Sequence, residues 1–219
     1  AHLLEAAEAD IAFADAKFSV VGTDRSLTLK QVAMAAFQPA RLPTGVEPGF
    51  YEDATYAPKR DTFPNGCHVS EVEIDPDTGE VTLLSYLVVD DVGTVINPLT
   101  LAGQIHGGVA QGMGQILMER VVYDPDSGQL LTASFMDYAM PRADTMCSMK
   151  IVSNPVPTAT NPLGVKGAGE AGCVGAMPAI MLAIMNALAE RGVRELDMPA
   201  TSDRVWHALQ SAGTASNGA

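Results

Sequence analysis

The stretch NPLGVKGAGEAGCVG, residues 161–175, and the run AMPAIMLAIMNALAERG that follows it constrain the fold of this chain more than any other segment. The first holds five glycines and only two charged side chains, Lys166 and Glu170. Glycine at this density lets backbone approach a ligand or another backbone closely. The second is apolar on nearly every face, which predicts a buried core helix. Pro178 suits a first helical turn and Gly192 a stop just past the end. A buried helix entered through a glycine loop offers unbonded N–H groups to an anion or a polar ligand. Glu170 is therefore a functional candidate, set against the plainer possibility of a tight helix-entry turn with a solvated carboxylate.

GAGEAG (residues 167–172) also fits the dinucleotide-binding pattern G-x-G-x-x-G. That pattern needs a strand running directly into it. The approach here contains Pro155, Pro157 and Pro162, and proline removes ladder donors. A nucleotide-binding module is the weaker reading, and a carboxylate beside a cofactor the stronger.

With 219 residues, 47% hydrophobic and 18% charged, the chain is globular and long enough for a substantial core. A net charge of −13 without a basic run argues against nucleic acid as a partner. Cys67, Cys147 and Cys173 are odd in number and widely spaced, which suits neither a disulfide framework nor a metal knuckle. No metal-ligand set is expected. Free thiols and eleven methionines suit a reducing compartment, so the expected location is cytoplasmic. No signal peptide is visible, and the apolar helix is short for a bilayer, so no membrane span is expected.

In chain order, AHLLEAAEAD predicts a short helix, and IAFADAKFSVVG a hairpin with strands at Ile11–Phe13 and Phe18–Val21. Thr28 and Gln31 form a capping box that opens a helix through Val32, Met34 and Phe37. Residues 41–66 read as a proline-rich connector, with at most a strand near Gly49–Tyr56. HVSEVEI, a DPDTG turn and EVTLLSYLVVDD predict a long hairpin, and RVVYDPDSGQLLTASF a second one. The two Asp-rich turns lack the later ligands of a calcium loop. The fold class is α+β with a mixed or antiparallel sheet.

Between the hairpins, Asn97 can cap and Pro98 can start a helix carrying Leu101, Ile105, Val109, Met113 and Leu117 on one stripe. Gly103, Gly107, Gly108, Gly112 and Gly114 interrupt it. At about 1 kcal/mol each, these forfeit roughly 5 kcal/mol of helix propensity. Close approach to a second helix or to a ligand would offset that loss, and Gln104, Gln111 and Gln115 share faces along it. His106 stands alone, and ordinary packing is its expected role.

Three motifs in this order, GQIHGGVAQGMGQ, SFMDYAMPRA and NPLGVKGAGEAGCVGAMPAIMLAIMNAL, resemble the C-terminal part of the molybdenum-binding subunit of the xanthine dehydrogenase and aldehyde oxidase family. TFPNGCHVSEVEIDPDTGEV and DMPATSDRVWHAL extend the resemblance over almost the whole chain, with the bacterial carbon monoxide dehydrogenase-like and aldehyde dehydrogenase-like subunits nearest. The resemblance implies a hydroxylase that oxidises an aldehyde, an N-heterocycle or a similar small molecule with a water-derived oxygen. It implies Glu170 as catalytic base, tuned by an apolar loop. Gln111 and Gly112 would contact the cofactor, and Lys166, Gly167 and Gly169 would shape the loop around it. The implied cofactor is molybdopterin with molybdenum, in the cytosine dinucleotide form. The implied partners are the rest of the molybdenum subunit, an iron–sulfur subunit with 2Fe–2S clusters and an FAD subunit. Residues 1–66 would be an N-terminal region and connector, 67–210 the molybdopterin-binding core and 211–219 a disordered tail. The alternative to an enzyme is a non-catalytic interaction domain that retains the fold.

Overall fold

The computed structural model describes residues 1–216 except Glu52 and Lys59, with the side chains of 214–216 also left out. The chain divides into two compact units, Ala1–Ala57 and Pro58–Ala219.

In the first unit, β1 (Ile11–Ala14), β2 (Lys17–Val20) and β3 (Ser26–Thr28) form an antiparallel meander. Asp15 and Ala16 turn β1 into β2 with positive φ angles of 49° and 55°. The capping box opens α1 (Leu29–Ala36) as expected: Gln31 N donates to the Thr28 hydroxyl at 3.2 Å, and Thr28 N donates back to Gln31 Oε1 at 2.8 Å. The helix expected at the N-terminus is instead a series of turns and one 3₁₀ turn at Glu8–Asp10. Its alanine and glutamate content favours helix, but ten residues with a single turn of potential apolar face lie below the length at which propensity alone suffices. No strand forms among the described residues of 49–56, and Glu52 lies outside them.

The second unit holds the long hairpin, β4 (Asn65–Ile74) and β5 (Val81–Asp91), to which β6 (Met149–Ser153) adds in parallel on β5. The sheet is mixed, and the fold is α+β. On β4, Val72 and Ile74 point inward as the alternation predicts, but so do His68 and Ser70, while Val69 is 55% exposed. A register shift opposite Glu71 and Val72 leaves Leu84 as an extra residue in β5, so Leu83 and Tyr86 both reach the core. The second predicted hairpin reduces to one bridge, Tyr123 to Leu130.

Asn97 caps α2 (Pro98–Leu117), its Oδ1 accepting from Leu99 N at 3.0 Å and Thr100 N at 3.2 Å. α3 runs Ala171–Ala189, so it begins at the end of the glycine loop and Pro178 lies in its interior. Gly172, Ala176, Ile180, Ile184 and Leu188 form its buried row. Along these rows α2 and α3 approach at backbone distance. A Cβ on Gly108 would stand 2.8 Å from Cys173 N, one on Gly172 2.6 Å from Ile105 O, and one on Gly112 2.7 Å from the Ala176 methyl. Both helices pack with the sheet and with α4 (Ser202–Ser216) around Val88, Ile105, Val109, Met113, Ile180, Ile184 and Val205. Nineteen residues make α3 long and apolar enough, by length and composition, to cross a membrane, contrary to the expectation that it is too short. Its buried row instead belongs to the core, and its Val174–Leu182 side remains exposed. Residues 211–216, expected in a disordered tail, continue α4, and 217–219 lie outside the described residues.

Candidate cofactor site

The glycine loop is built from both ends. Asn161 closes its first turn, donating from Nδ2 to Val165 O at 2.9 Å and accepting from Val165 N at 3.1 Å. Gly164 takes φ +68° there, and any Cβ would strike Thr94 Oγ1 and Pro157 Cβ at 2.9 Å. The exit of β5 then runs beside the loop: Lys166 N donates to Val92 O and Thr94 N to Gly164 O, each at 2.9 Å. At its far end Gln104 of α2 donates from Nε2 to Gly169 O at 2.8 Å. No strand leads into 167–172. The nucleotide-binding pattern thus lacks the context that would give it meaning.

Lys166 does not project freely. Its ammonium lies 2.5 Å from Asp91 Oδ2, with both side chains only 12% exposed. The Lys166 ammonium, together with the Val156 and Gly93 amides, holds the Asp91 carboxyl well below the usual carboxylate range. Thr94, Asn97, Gln104, Lys166, Ala168 and Gly169 are among the residues that line an open cleft of about 340 Å³.

Glu170 follows the loop as the residue that caps α3, in helical conformation and with no side-chain capping bond. It is exposed. The apolar surroundings expected of Glu170 are not supplied by this chain: its neighbours in sequence are Gly169 and Ala171, and its side chain is exposed. Gln111 lies on the outer row of α2, in line with Gly103 and Gly107, exposed and without a polar partner among the described residues. Gly112 faces the other way, buried against α3, where its missing side chain is needed for helix packing. His106 is exposed, its ring Nδ1 hydrogen-bonded to Ala102 O at 2.7 Å in its own helix.

A second polar group lies under the first turns of α3. The Tyr86 hydroxyl and His68 Nδ1 share a hydrogen bond at 2.8 Å, and His68 Nε2 faces Asp90 Oδ1 at 3.4 Å. Asp90 Oδ2 is buried with no hydrogen-bond partner among the described residues. Burial pushes the Asp90 carboxyl up and outweighs the opposing pull of His68. Gly175 and Gly66 make room for the group, since a Cβ would fall 2.5 Å from the His68 ring or 1.9 Å from Asp90 Oδ1.

Five glycines have no such internal reason: four lie on α2 or in the loop, and the fifth, Gly213, lies on α4. A Cβ on Gly103, Gly107, Gly167 or Gly169 would meet nothing within 4 Å, and none of the four has positive φ. They surround the Gln104–Gly169 contact and lie beside Glu170 and the Gln111 row. A surface kept bare of side chains, with free amides and a helix N-terminus, fits a large polar ligand.

The model of the molybdopterin cofactor-binding domain matches residues 1–147. The chain belongs to this family. The nicotine 6-hydroxylase large subunit of Paenarthrobacter nicotinovorans is 38% identical over 96% of the chain and 26% of its own length. The carbon monoxide dehydrogenase large chain of Hydrogenophaga pseudoflava is 36% identical over 96% of the chain and 26% of its own length. The crystal structure of quinoline 2-oxidoreductase from Pseudomonas putida 86 superposes with a TM-score of 0.86 at 37% identity, over 95% of this chain and 27% of that one. The chain therefore spans about a quarter of the length of these relatives.

Of the residues that the sequence singles out, Lys166, Gly167, Gly169 and Glu170 follow one another in the loop, and Gln111 and Gly112 lie on opposite faces of α2. Asp91 escaped sequence reasoning. Its partner Lys166 is 75 residues away, and a pair of aspartates at a strand end carries no local mark of what each will face.

Proposed function

We propose that the chain forms the C-terminal portion of the catalytic subunit of a molybdenum hydroxylase, with Glu170 as general base. The observation that supports this most is the bare surface made by Gly103, Gly107, Gly167 and Gly169, directly beside an exposed, uncapped carboxylate. Gln111 donates its free amide to the cofactor, Gly167 and Gly169 let the loop backbone approach it, and Lys166 sets the loop's course. Gly112 supports the site from behind by letting α2 sit close to α3. The cofactor-contacting residues all fall within 67–210. When bound, the molybdopterin, in its cytosine dinucleotide form, supplies the two-electron oxidation that adds a water-derived oxygen to the substrate. Glu170 takes up the proton released as that oxygen becomes nucleophilic, a task suited to a carboxylate once the covering surface removes it from water. An N-heterocycle is the favoured substrate class, since two of the similar proteins are named for nicotine and quinoline. An aldehyde is the next.

Val174 and Leu182 on α3 are 62% and 67% exposed, and Phe135 and Met136 89% and 92%. These apolar surfaces support a partner that packs here: the rest of the molybdenum subunit, over an area above roughly 2,000 Å². An iron–sulfur subunit with 2Fe–2S clusters and an FAD subunit complete the cytoplasmic enzyme. Size-exclusion chromatography of native material should show a large assembly, and elution as the free chain would count against it.

The decisive experiment is Glu170→Gln in the assembled enzyme. The amide keeps shape and hydrogen-bonding reach but cannot take the proton. At equal molybdenum content, turnover of an N-heterocycle or aldehyde should fall about 100- to 10,000-fold. Equal turnover would remove Glu170 from the chemistry and leave a non-catalytic interaction domain as the better description.

A further inference from the structure

The exit of β5 ends in two adjacent aspartates whose side chains go to opposite sides, and only one of them turns toward the glycine loop. Asp91 Oδ1 accepts from Gly93 N and from Val156 N, each at 2.9 Å, while Oδ2 holds Lys166 Nζ at 2.5 Å. A single carboxylate thus ties together the end of β5, the 154–158 segment and the glycine loop. Beyond Lys166, among the described residues, the next hydrogen bond from another segment is Gln104 Nε2 donating to Gly169 O at 2.8 Å. The intervening Gly167 and Gly169 have no neighbour at their Cβ positions, so side-chain packing does not hold them. The 167–169 span, in which only the half-buried Ala168 carries a side chain, thus runs between two polar anchors, and Glu170 is the next residue in the chain. Where the loop enters this span is set at Lys166, and Lys166 is set by Asp91.

We propose that Asp91 is a positioning residue for the catalytic site, holding Lys166 so that the 167–169 span delivers the Glu170 carboxylate to its substrate. This rests on the assignment of Glu170 as base. Asp91 touches no reacting atom. Its carboxylate acts through Lys166 and through the Gly93 and Val156 amides. The ion pair is mostly sheltered, which suits it to fixing geometry better than an exposed pair, whose long side chains wander. A base that is free to shift by about 1 Å loses on the order of 100-fold in rate, so a strut of this kind has a measurable kinetic consequence.

The test uses the assembled enzyme with Asp91→Asn, Lys166→Met, the double variant and Lys166→Arg. Asparagine retains an oxygen for the two amides but not the charge that holds Lys166. Methionine breaks the same pair from the other end, so misfolding of one variant leaves the other to decide. Hydrogen exchange of the amides in 164–170 should quicken about tenfold or more in each single variant, with the β4 and β5 amides unchanged. Turnover should fall about 10- to 100-fold at near-constant KM and molybdenum content. The double variant should be no worse than the worse single one, and Lys166→Arg should recover most of the turnover. Unchanged exchange in the loop, or unchanged turnover in both single variants, overturns the proposal. So does a loss of molybdenum in step with activity, which would make the pair a cofactor support. A fully active Glu170→Gln would sink the base assignment alone, and the exchange data would still decide whether Asp91 holds the loop. An inactive Glu170→Gln beside fully active Asp91→Asn and Lys166→Met would sink only the positioning role of Asp91.

Discussion

The two glycine populations of this domain look alike in sequence and differ completely in surroundings. Along the α2–α3 contact, Gly108, Gly112 and Gly172 are filled against: each missing Cβ would lie 2.6–2.8 Å from an atom of the facing helix. On the outer row of α2 and in the loop, Gly103, Gly107, Gly167 and Gly169 face open space. The first group is explained by the fold of the chain itself. The second weakens a helix and a loop with no return inside the chain, and so points to something outside it. Glycine density alone cannot separate the two cases, because both give the same letters at helical spacing.

Substitution distinguishes them. The largest effect is expected at Gly172→Leu, where the obstructing atom is the Ile105 carbonyl oxygen and no side chain can move aside. It should destabilise by about 3 kcal/mol, the upper end of the overpacking range, read as a shift of the denaturation midpoint. Gly112→Leu meets the Ala176 methyl and should cost about 1–3 kcal/mol. It should also disturb the neighbouring Gln111 and lower molybdenum content in the assembled enzyme. Unchanged melting and metal content would show that α2 and α3 are not held at this distance. Gly107→Ala should do the opposite of both. With nothing near its Cβ, it should raise the stability of the chain by about 0.5–1 kcal/mol through helix propensity. In the assembled enzyme it should reduce cofactor content. A stabilised variant with full molybdenum content would break the comparison, since Gly107 would then have no ligand to make room for.

The smallest expected effect concerns the inner and outer aspartates of β5, which repeat the contrast in charge. The depressed Asp91 carboxyl binds fewer protons in the folded than in the unfolded state. Its contribution is complete above the unfolded value, near 3.8, and is lost as pH falls through the lower folded one. The raised Asp90 carboxyl has the reverse sign: stability declines as pH rises from 3.8 through the folded value. Asp90→Asn keeps an acceptor for His68 Nε2 and removes the buried charge. It should raise Tm at pH 7 by about a few degrees at most and match the wild type below pH 3.8, where both are neutral. A lower Tm at pH 7 would mean that the His68–Asp90 pair stabilises the domain.

Much of this domain is written locally. The Thr28–Gln31 box, the Asn97 cap with Pro98 behind it, and the β4–β5 hairpin around its Asp-Gly turn are each decided by hydrogen bonds within a few residues. The resemblance of three motifs to a known family was sufficient to place the chain among molybdopterin-binding domains, and glycine density singled out the 161–170 loop as a candidate. Tertiary structure decided the rest. Pro178 suggested a helix start, yet α3 begins at Ala171 because Gly172 must pack on Ile105 and Gly108 of α2. β6 pairs in parallel with β5 from more than fifty residues away, and RVVYDPDSGQLLTASF keeps only one bridge. His68 and Ser70 turn inward although Val69 is the apolar residue, because Tyr86 and Ala179 O await them. Local sequence can encode a cap or a turn, since donor and acceptor are neighbours in the chain. Which glycine meets a helix and which stays bare, and which of two adjacent aspartates meets Lys166, depends on partners that only the packed fold brings within reach.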